Sequence, residues 1–335
     1  MKILVTGATG FLGGSVVERL LAHGERDIRV IARSGSRRDR IELAASRYPE
    51  ARIEYVPANL ASRTDAIGAV ADVDVVYHLA ASMKGAPADM FLNTVVATKY
   101  LLEAFGAGRK GRLVLVSSFS VYGVAKLPRG SVVDEGTPLE THPEMRDVYG
   151  QAKLRQDQLC RESVGRYIKE LVTLRPGVIY GEGGGALSAR VGLNLFGLYL
   201  ALGGKNLLPL SFVENCAEAI VIAGQAATAA GEVYNVLDDD LPTCDAYLVD
   251  YKRHVESLRS IPVPYPVLVT LSRGLERYHR WSKGQLPAVF TPYKVATTWG
   301  GNRFDNGKIK KLGWRQLVST QEGMRRTFDW FGRCA

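Results

Sequence analysis

Short apolar runs alternate, along the first half of the chain, with stretches in which apolar positions recur every three or four residues. The short runs are Lys2 to Thr6, Ile28 to Ala32, Arg52 to Pro57, Asp74 to Ala80, Arg112 to Ser117 and Leu171 to Leu174, and each reads as a strand. Between them the spacing of Val16, Val17, Leu20 and Leu21 predicts a helix, and Ser62-Arg63-Thr64-Asp65 opens another at a capping-box spacing. A longer helix covers roughly 88–106. Near-continuous apolar strands separated by helices predict an α/β chain with a doubly wound parallel sheet covered on both faces.

Beyond residue 181 the pattern changes. Leu187 to Leu202 is predicted as an apolar helix, with Leu193, Phe196 and Leu200 as its packing face. Ile261 to Leu275 begins with three prolines and continues as a short apolar helix into the basic, aromatic-rich segment Glu276 to Lys283. Asp305 is expected to cap a short helix, and Ser319-Thr320-Gln321-Glu322 to open the last one. There is no internal repeat and no Gly/Ser linker. The expected division is therefore 1–181 as the sheet domain and 182–335 as a smaller, interleaved substrate lobe, with segments around 212–237 returning to the sheet.

Composition narrows the class. An apolar content of 46% and a charged content of 23% over 335 residues are those of a soluble globular chain with a sizeable core. The four cysteines, Cys160, Cys216, Cys244 and Cys334, are scattered, and no histidine stands at ligand spacing, so no metal is expected. That usage fits a reducing cytoplasm. The N-terminus runs straight into a strand and a glycine loop, unlike a signal peptide, and no apolar run approaches the ~20 residues that span a bilayer. A net charge of +9 points to an acidic partner: a phosphorylated cofactor, a nucleotide-linked substrate or an anionic surface. The basic residues are spread along the chain without a recognition motif, so nucleic acid is not expected.

The chemistry gathers at the strand ends. Gly7-Ala8-Thr9-Gly10-Phe11-Leu12-Gly13 follows the first strand and opens a helix, which lets the backbone approach a pyrophosphate seated on the helix N-terminus. Such a loop predicts a dinucleotide-binding Rossmann fold, a tight strand–helix turn being the plainer alternative. The second strand ends in Arg33-Ser34, with Arg37 and Arg38 close behind, where an NAD site usually places an acid. These side chains offer donors to a 2′-phosphate, so NADP is preferred over NAD; a solvated helix start, with Arg33 stacked on adenine, is the other reading. Ser117, Ser118 and Ser120 end the fifth strand, where ligands bind in such sheets. Tyr149 and Lys153 stand four apart on a helix, which sets the ammonium beside the phenol and draws the phenol's pKa toward the working pH of a general acid/base. His78 reads as a structural strand-end residue.

Taken in order, TGATGFLG, HLAA, SSFSVYG, YGQAK and RPGVIYG resemble the extended short-chain dehydrogenase/reductases of the NAD-dependent epimerase/dehydratase type over residues 1–181. FVENCAEAI (212–220) and VYNV (233–236) match weaker features. The resemblance implies that Tyr149 is the acid/base, that Lys153 bonds the nicotinamide ribose and lowers the Tyr149 pKa, and that Ser118 holds the substrate oxygen. Ser117 and Ser120 are the neighbours that compete for that role. It implies further that Gly7, Gly10 and Gly13, with Thr9, Phe11 and Leu12, line the pyrophosphate. Arg33, Ser34 and Arg37 then lie at the adenosine ribose, Asn59 and Leu60 at adenine, and Leu79, Ala80, Ala81, Ser117 and Pro176 along the rest of the cofactor. Asn59 is a departure, since an Asp is commoner there. Asn93 matches a family Asn and fits a structural role equally.

Met83, Ser120, Val178, Glu182 and Arg190 are the substrate-side candidates. Phe119-Ser120 replaces the Asp-Glu pair of 4,6-dehydratases, so dehydration is not implied. Val178 replaces the Asn by which many epimerases hold a nucleotide sugar. The implied activity is hydride transfer at a secondary alcohol or ketone. A nucleotide-linked sugar is the leading substrate, for an epimerase or ketosugar reductase; a lipophilic ketone or alcohol, as in 3β-hydroxysteroid dehydrogenase-like enzymes, is the alternative. A non-catalytic NADP-binding sensor is a reading from another class, and the intact Tyr149/Lys153 pair weighs against it. Segment 261–283 fits a helix pair packed on the lobe, a peripheral membrane contact or a dimer contact, and a homodimer is expected.

Overall fold

The computed structural model describes residues 1–33, 35–108, 111–282 and 290–334. Ser34 and Lys283, both named above, lie outside the described residues.

The first half alternates strictly. β1 (Ile3–Thr6), α1 (Phe11–Ala22), β2 (Asp27–Ile31), α2 (Asp39–Ala45), β3 (Arg52–Val56), α3 (Arg63–Val70) and β4 (Val75–His78) lead to α4 (Pro87–Phe91). A π-turn, Leu92–Val96, joins α4 to α5 (Ala97–Ala107), and β5 (Arg112–Val116) follows. After β6 (Val132–Val133) come α6 (Val148–Glu162), β7 (Glu170–Pro176), β8 (Val178–Tyr180), β9 (Gly192–Leu195), β10 (Leu198–Ala201) and β11 (Leu210–Phe212). The chain ends with α7 (Val213–Gln225), β12 (Val233–Val236), α8 (Cys244–His254), β13 (Ser260–Pro262), α9 (Tyr265–Trp281), α10 (Pro292–Trp299), β14 (Arg303–Phe304), α11 (Gly307–Lys311) and α12 (Thr320–Cys334).

Seven strands form one parallel sheet in the order β12-β7-β5-β4-β1-β2-β3. Alternate side chains leave a strand on opposite faces, and here both faces are dry. Ile3 and Val5 join α1 and α7 in one core, while Leu4, Val76, Leu113 and Leu115 join α3 and α5 in another. At roughly 2 kcal/mol for each large apolar side chain buried, such two-sided strands anchor the fold.

The lobe departs from expectation in two places. Residues 187–202, predicted as a helix, contain the antiparallel hairpin β9–β10, which β13 extends in parallel. Its tip places Phe196 at φ 52° and Gly197 at φ 85°, and the Asn194 side-chain oxygen accepts from Gly197 N at 3.0 Å. Tyr199 and Ala201 face the main core, whereas Leu193 and Leu200 face α9. Apolar residues on both faces blur the two-residue period, so the run resembled a buried helix. Asp305 is also no cap: its N–H bonds Val133 O at 3.2 Å, and α11 starts after Asn306. The other cap stands, with Ser319 Oγ accepting from Glu322 N at 3.3 Å.

A buried brace ties the lobe to the sheet. Asp238 accepts from Phe212 N at 3.1 Å, Asn215 Nδ2 at 2.9 Å and the Tyr180 hydroxyl at 2.9 Å. Asn215 in turn accepts from Leu317 N at 3.0 Å and Val318 N at 2.9 Å, which fixes the approach to α12.

Candidate active site

The glycine loop brings two strand ends together. Gly7 sits at φ 70°, and a Cβ there would stand 3.0 Å from Ala80 N, so only glycine lets β1 and β4 approach this closely. Thr6 Oγ1 accepts from Ala80 N at 3.2 Å and holds Leu79-Ala80-Ala81 against the loop. Gly10 is the N-cap of α1 and has no side chain with which to cap the helix. Its first N–H groups, around Phe11 and Leu12, are therefore donors for an anion, with Thr9 half-buried beside them. Gly13 acts differently: a Cβ there would lie 2.1 Å from Gly7 O and 2.6 Å from Ala8 Cα, so it lets α1 rest on its own loop. A Cβ on Gly184 would lie 2.6 Å from the Phe11 ring, which places the turn after β8 against the same loop.

Arg33 and Arg37 are exposed past β2, and neither forms an ion pair with a described residue. Arg38 differs, lying over the Tyr55 ring at 4.7 Å. Asn59 turns its Oδ1 onto Ala61 N at 3.1 Å and its own N–H onto Asp65 at 2.8 Å, so its oxygen shapes the loop; Leu60 is buried beneath. An uncapped helix N-terminus, a glycine approach and a basic rim suit a dinucleotide.

At the end of β5 the three serines separate. Ser117 Oγ donates to Asp157 at 2.6 Å, inside a buried cluster with Arg175, and so points away from the cleft. Ser118 Oγ accepts from Ser120 N at 3.1 Å and lies close enough to the Tyr149 phenol to act on its ionisation. Ser120 Oγ is buried without a hydrogen-bond partner among the described residues. Asp147 caps α6 through Gly150 N at 3.3 Å and so sets the first turn that carries Tyr149.

Lys153 is buried, and its ammonium donates to Val116 O at 2.7 Å and to Gln156 Oε1. The expected cation beside the phenol is thus turned toward the sheet. Burial pushes the Tyr149 phenol above its ordinary value, and Ser118 opposes that rise. Burial also pulls Lys153 down to about 8. Gln156 links this ammonium to the strand ends, donating to Thr98 Oγ1 at 2.9 Å and to Ala80 O at 3.2 Å. Thr98 gives its own proton to Thr94 O at 2.6 Å and so accepts from His78 Nε2 at 2.8 Å. That assigns His78 Nδ1 as the acceptor for Thr6, at 2.8 Å, and burial keeps the ring neutral, near a pKa of about 3. Gln156 escaped the sequence reading, although its place three residues after Lys153 puts it on the same helix face.

The remaining candidates are dispersed. Pro176 is buried at the end of β7, and Val178 is half-buried beside it, its N–H on Pro209 O at 2.6 Å. Met83 is exposed on the loop after β4. Glu182 is engaged by Arg326 at 3.0 Å, which fixes α12. Arg190 is half-buried, donates to Thr298 O at 3.3 Å and forms no ion pair with a described residue. Burial lowers it to about 10, against the pull of Cys244 and with a further push from Arg146. Asn93 faces outward and donates to Asp89 O at 2.8 Å; its neighbour Thr94 faces in and accepts from Ser82 N at 2.9 Å. Among the described residues no cluster of His, Cys, Asp or Glu is placed to hold a metal ion.

The sequence profile of the NAD dependent epimerase/dehydratase family matches residues 3–236. The chain belongs to this family. The fold and the family together make it an NAD(P)-dependent enzyme of the short-chain dehydrogenase/reductase type, an oxidoreductase. It is 25% identical to the 3beta-hydroxysteroid-dehydrogenase/decarboxylase isoform 1 of Arabidopsis thaliana, over 98% of this chain and 79% of that one. It is also 25% identical to the decarboxylating sterol-4-alpha-carboxylate 3-dehydrogenase of Bos taurus, over 97% of this chain and 91% of the relative. Among solved structures, the UDP-glucose 4-epimerase of Thermus thermophilus in complex with NAD superposes with a TM-score of 0.71, at 21% identity, over 99% of both chains. The family binds NAD, and among the described residues no helix is long and apolar enough to cross a membrane.

Proposed function

We propose that this family member interconverts a secondary alcohol and a ketone on a lipophilic substrate, with NADP as the preferred cofactor. The observation that carries the chemistry is the placing of Tyr149 beside Ser118 at the C-terminal edge of the sheet, with the Lys153 ammonium buried behind them. A bound nicotinamide supplies or accepts the hydride. The loop N–H groups at Gly10, Phe11 and Leu12 would hold the pyrophosphate, and Arg33 and Arg37 the 2′-phosphate. Ala80, Ala81 and Pro176 would flank the rest.

Ser118 would hold the substrate oxygen: its Oγ accepts from Ser120 N and still carries a proton, which can turn from the Tyr149 phenol to that oxygen. A phenol held protonated by burial is the acid form, suited to giving its proton to a carbonyl oxygen as the ketone is reduced. In the reverse direction the phenolate takes the alcohol's proton.

For the substrate, the two sterol-oxidising relatives resemble this chain across the lobe as well as the sheet. Val178 offers no side-chain donor to a sugar, and Glu182 is committed to Arg326. A nucleotide-linked sugar is the second reading, favoured by Arg190, whose half-buried guanidinium has no acidic partner among the described residues.

Turnover and melting-temperature shifts with hydroxysteroids, 3-oxoacyl ketones and UDP-sugars, each with NADPH and NADH, decide between them. A response only to UDP-sugars sinks the lipophilic reading. Arg33→Asp should weaken NADPH about tenfold or more and leave NADH little changed; equal losses would defeat the NADP preference.

A further inference from the structure

Helix α9 buries one side and leaves the other bare. Leu268 and Ser272 are buried against the lobe, with Tyr265 and Val269 partly covered beside Trp299 and Val295. On the opposite side Val267, Leu271, Leu275, Tyr278 and Trp281 are exposed, Leu271 by 56% and Trp281 by 77%. Steps of four, four, three and three residues align them in one stripe along the helix. The stripe runs the length of α9 and is rimmed by charge, so it differs from the scattered apolar residues of an ordinary surface.

The neighbouring sheet extends it. Leu193 and Leu200 face α9. Leu195, two residues beyond Leu193, and Ile261, paired with Leu200, therefore take the same face, and both are exposed. At the hairpin tip Phe196 is fully exposed, held out by a backbone in the left-handed region. That placement is costly for an aromatic residue and gains nothing in water.

Charge selects the occupant. Arg273, Arg277 and Arg280 form the row beside the stripe, and all are exposed. Arg280 pairs with Glu276 at 2.9 Å, whereas Arg273 and Arg277 form no ion pair with a described residue. The whole chain carries +9. A second copy packed antiparallel across a two-fold axis would bring this arginine row against itself, and either two-fold arrangement would set two chains of +9 face to face. An anionic bilayer surface meets both features: the apolar stripe enters the acyl boundary, Tyr278 and Trp281 sit at headgroup level, and the arginines meet the lipid phosphates. A helix of this kind, too polar to cross the membrane, lies flat in its plane.

We propose that α9, together with the β9–β10 tip, seats the protein on an anionic membrane surface. This holds whichever substrate reading is right, since it rests on a face outside the candidate active site. The test is co-flotation of the full chain with vesicles of phosphatidylcholine alone and of phosphatidylcholine with phosphatidylglycerol. Wild type should float with the anionic vesicles, weakly with the neutral ones, and less as salt rises. Leu271→Asp with Leu275→Asp should abolish flotation while the melting temperature holds, because both side chains are already in water. Arg273→Gln with Arg277→Gln should weaken anionic binding about tenfold or more. No flotation of wild type, or flotation unchanged in the Leu271/Leu275 variant, overturns the proposal. So does a wild-type dimer in solution that the same variant splits, for that would make a second copy the occupant.

Discussion

Lys153 and Asp238 are both ionisable groups sunk in the interior, one at the candidate site and one in the brace between sheet and lobe. Asp238 is surrounded by donors from three elements: Phe212 N, Asn215 Nδ2 and the Tyr180 hydroxyl. Even so, burial raises it to about 6. Lys153 has two neutral acceptors, Val116 O and Gln156, and burial lowers it to about 8. Each thus stands nearer neutrality than its ordinary value, yet the consequences differ. The Asp238 partners each join separate segments, so its loss unties the lobe. The Lys153 partners trace back through Gln156, Thr98, His78 and Thr6 to the glycine loop, so its loss should reach the chemistry first.

The largest contrast comes from Tyr149→Phe. Turnover should fall about 10²- to 10⁴-fold, as for loss of a general acid, while cofactor binding and melting temperature hold. Titration calorimetry with NADPH beside steady-state rates checks this; turnover above a tenth of wild type would remove Tyr149 from the mechanism. Asp238→Ala should do the opposite. It leaves the Phe212 N–H, the Asn215 amide and the Tyr180 hydroxyl without their acceptor and should cost about 3 kcal/mol in urea unfolding. At a temperature where the variant is folded, its rate should stay within a few-fold of wild type.

These two regions were unequally legible. The central strands could be read because both their faces are buried, which leaves an uninterrupted apolar run such as Leu113 to Val116. The same signal failed at 192–201, where a two-faced hairpin gives a run as apolar as a helix and its turn, Leu195-Phe196-Gly197, lacks the usual Asn-Gly pair. Motif spacing singled out Tyr149, Lys153 and Ser118 as candidates. It named Ser118 over its neighbours but gave no sign that Asp157 holds Ser117, because alternation assigns a face and not a partner. Nor could it say where the flexible Lys153 stem would turn. The Asp238 brace was invisible, since its partners lie far apart in sequence and meet only through the fold.

Gln156→Leu sharpens the comparison on the site's side. Without that acceptor the Lys153 ammonium is less well solvated, so its pKa should drop further below about 8. The rate should fall about tenfold at pH 8, with the alkaline limb of the pH–rate profile displaced to lower pH. Gln156→Glu keeps an acceptor and adds a negative charge, so it should restore the limb or carry it higher. A purely structural role would lower the rate in both variants and leave the limb in place.

The smallest effect lies on the side of Asp238 and follows from linkage. Its folded pKa, about 6, is above the ordinary carboxylate value of 3.8, so the folded protein binds a proton that the unfolded chain has already released. The resulting stability is complete below the unfolded value and is lost as pH rises through about 6. Between pH 7 and pH 5 this group should therefore add about 1 kcal/mol to unfolding stability, against the usual acid weakening of paired carboxylates. Other groups titrate over the same range, so the quantity to measure is the difference from Asp238→Asn, which keeps one oxygen acceptor and cannot ionise. Urea midpoints taken in parallel should show wild type gaining on the variant as pH falls from 7 to 5. If the two curves stay parallel, Asp238 ionises as an ordinary carboxylate, and the contrast with Lys153 is one of position alone.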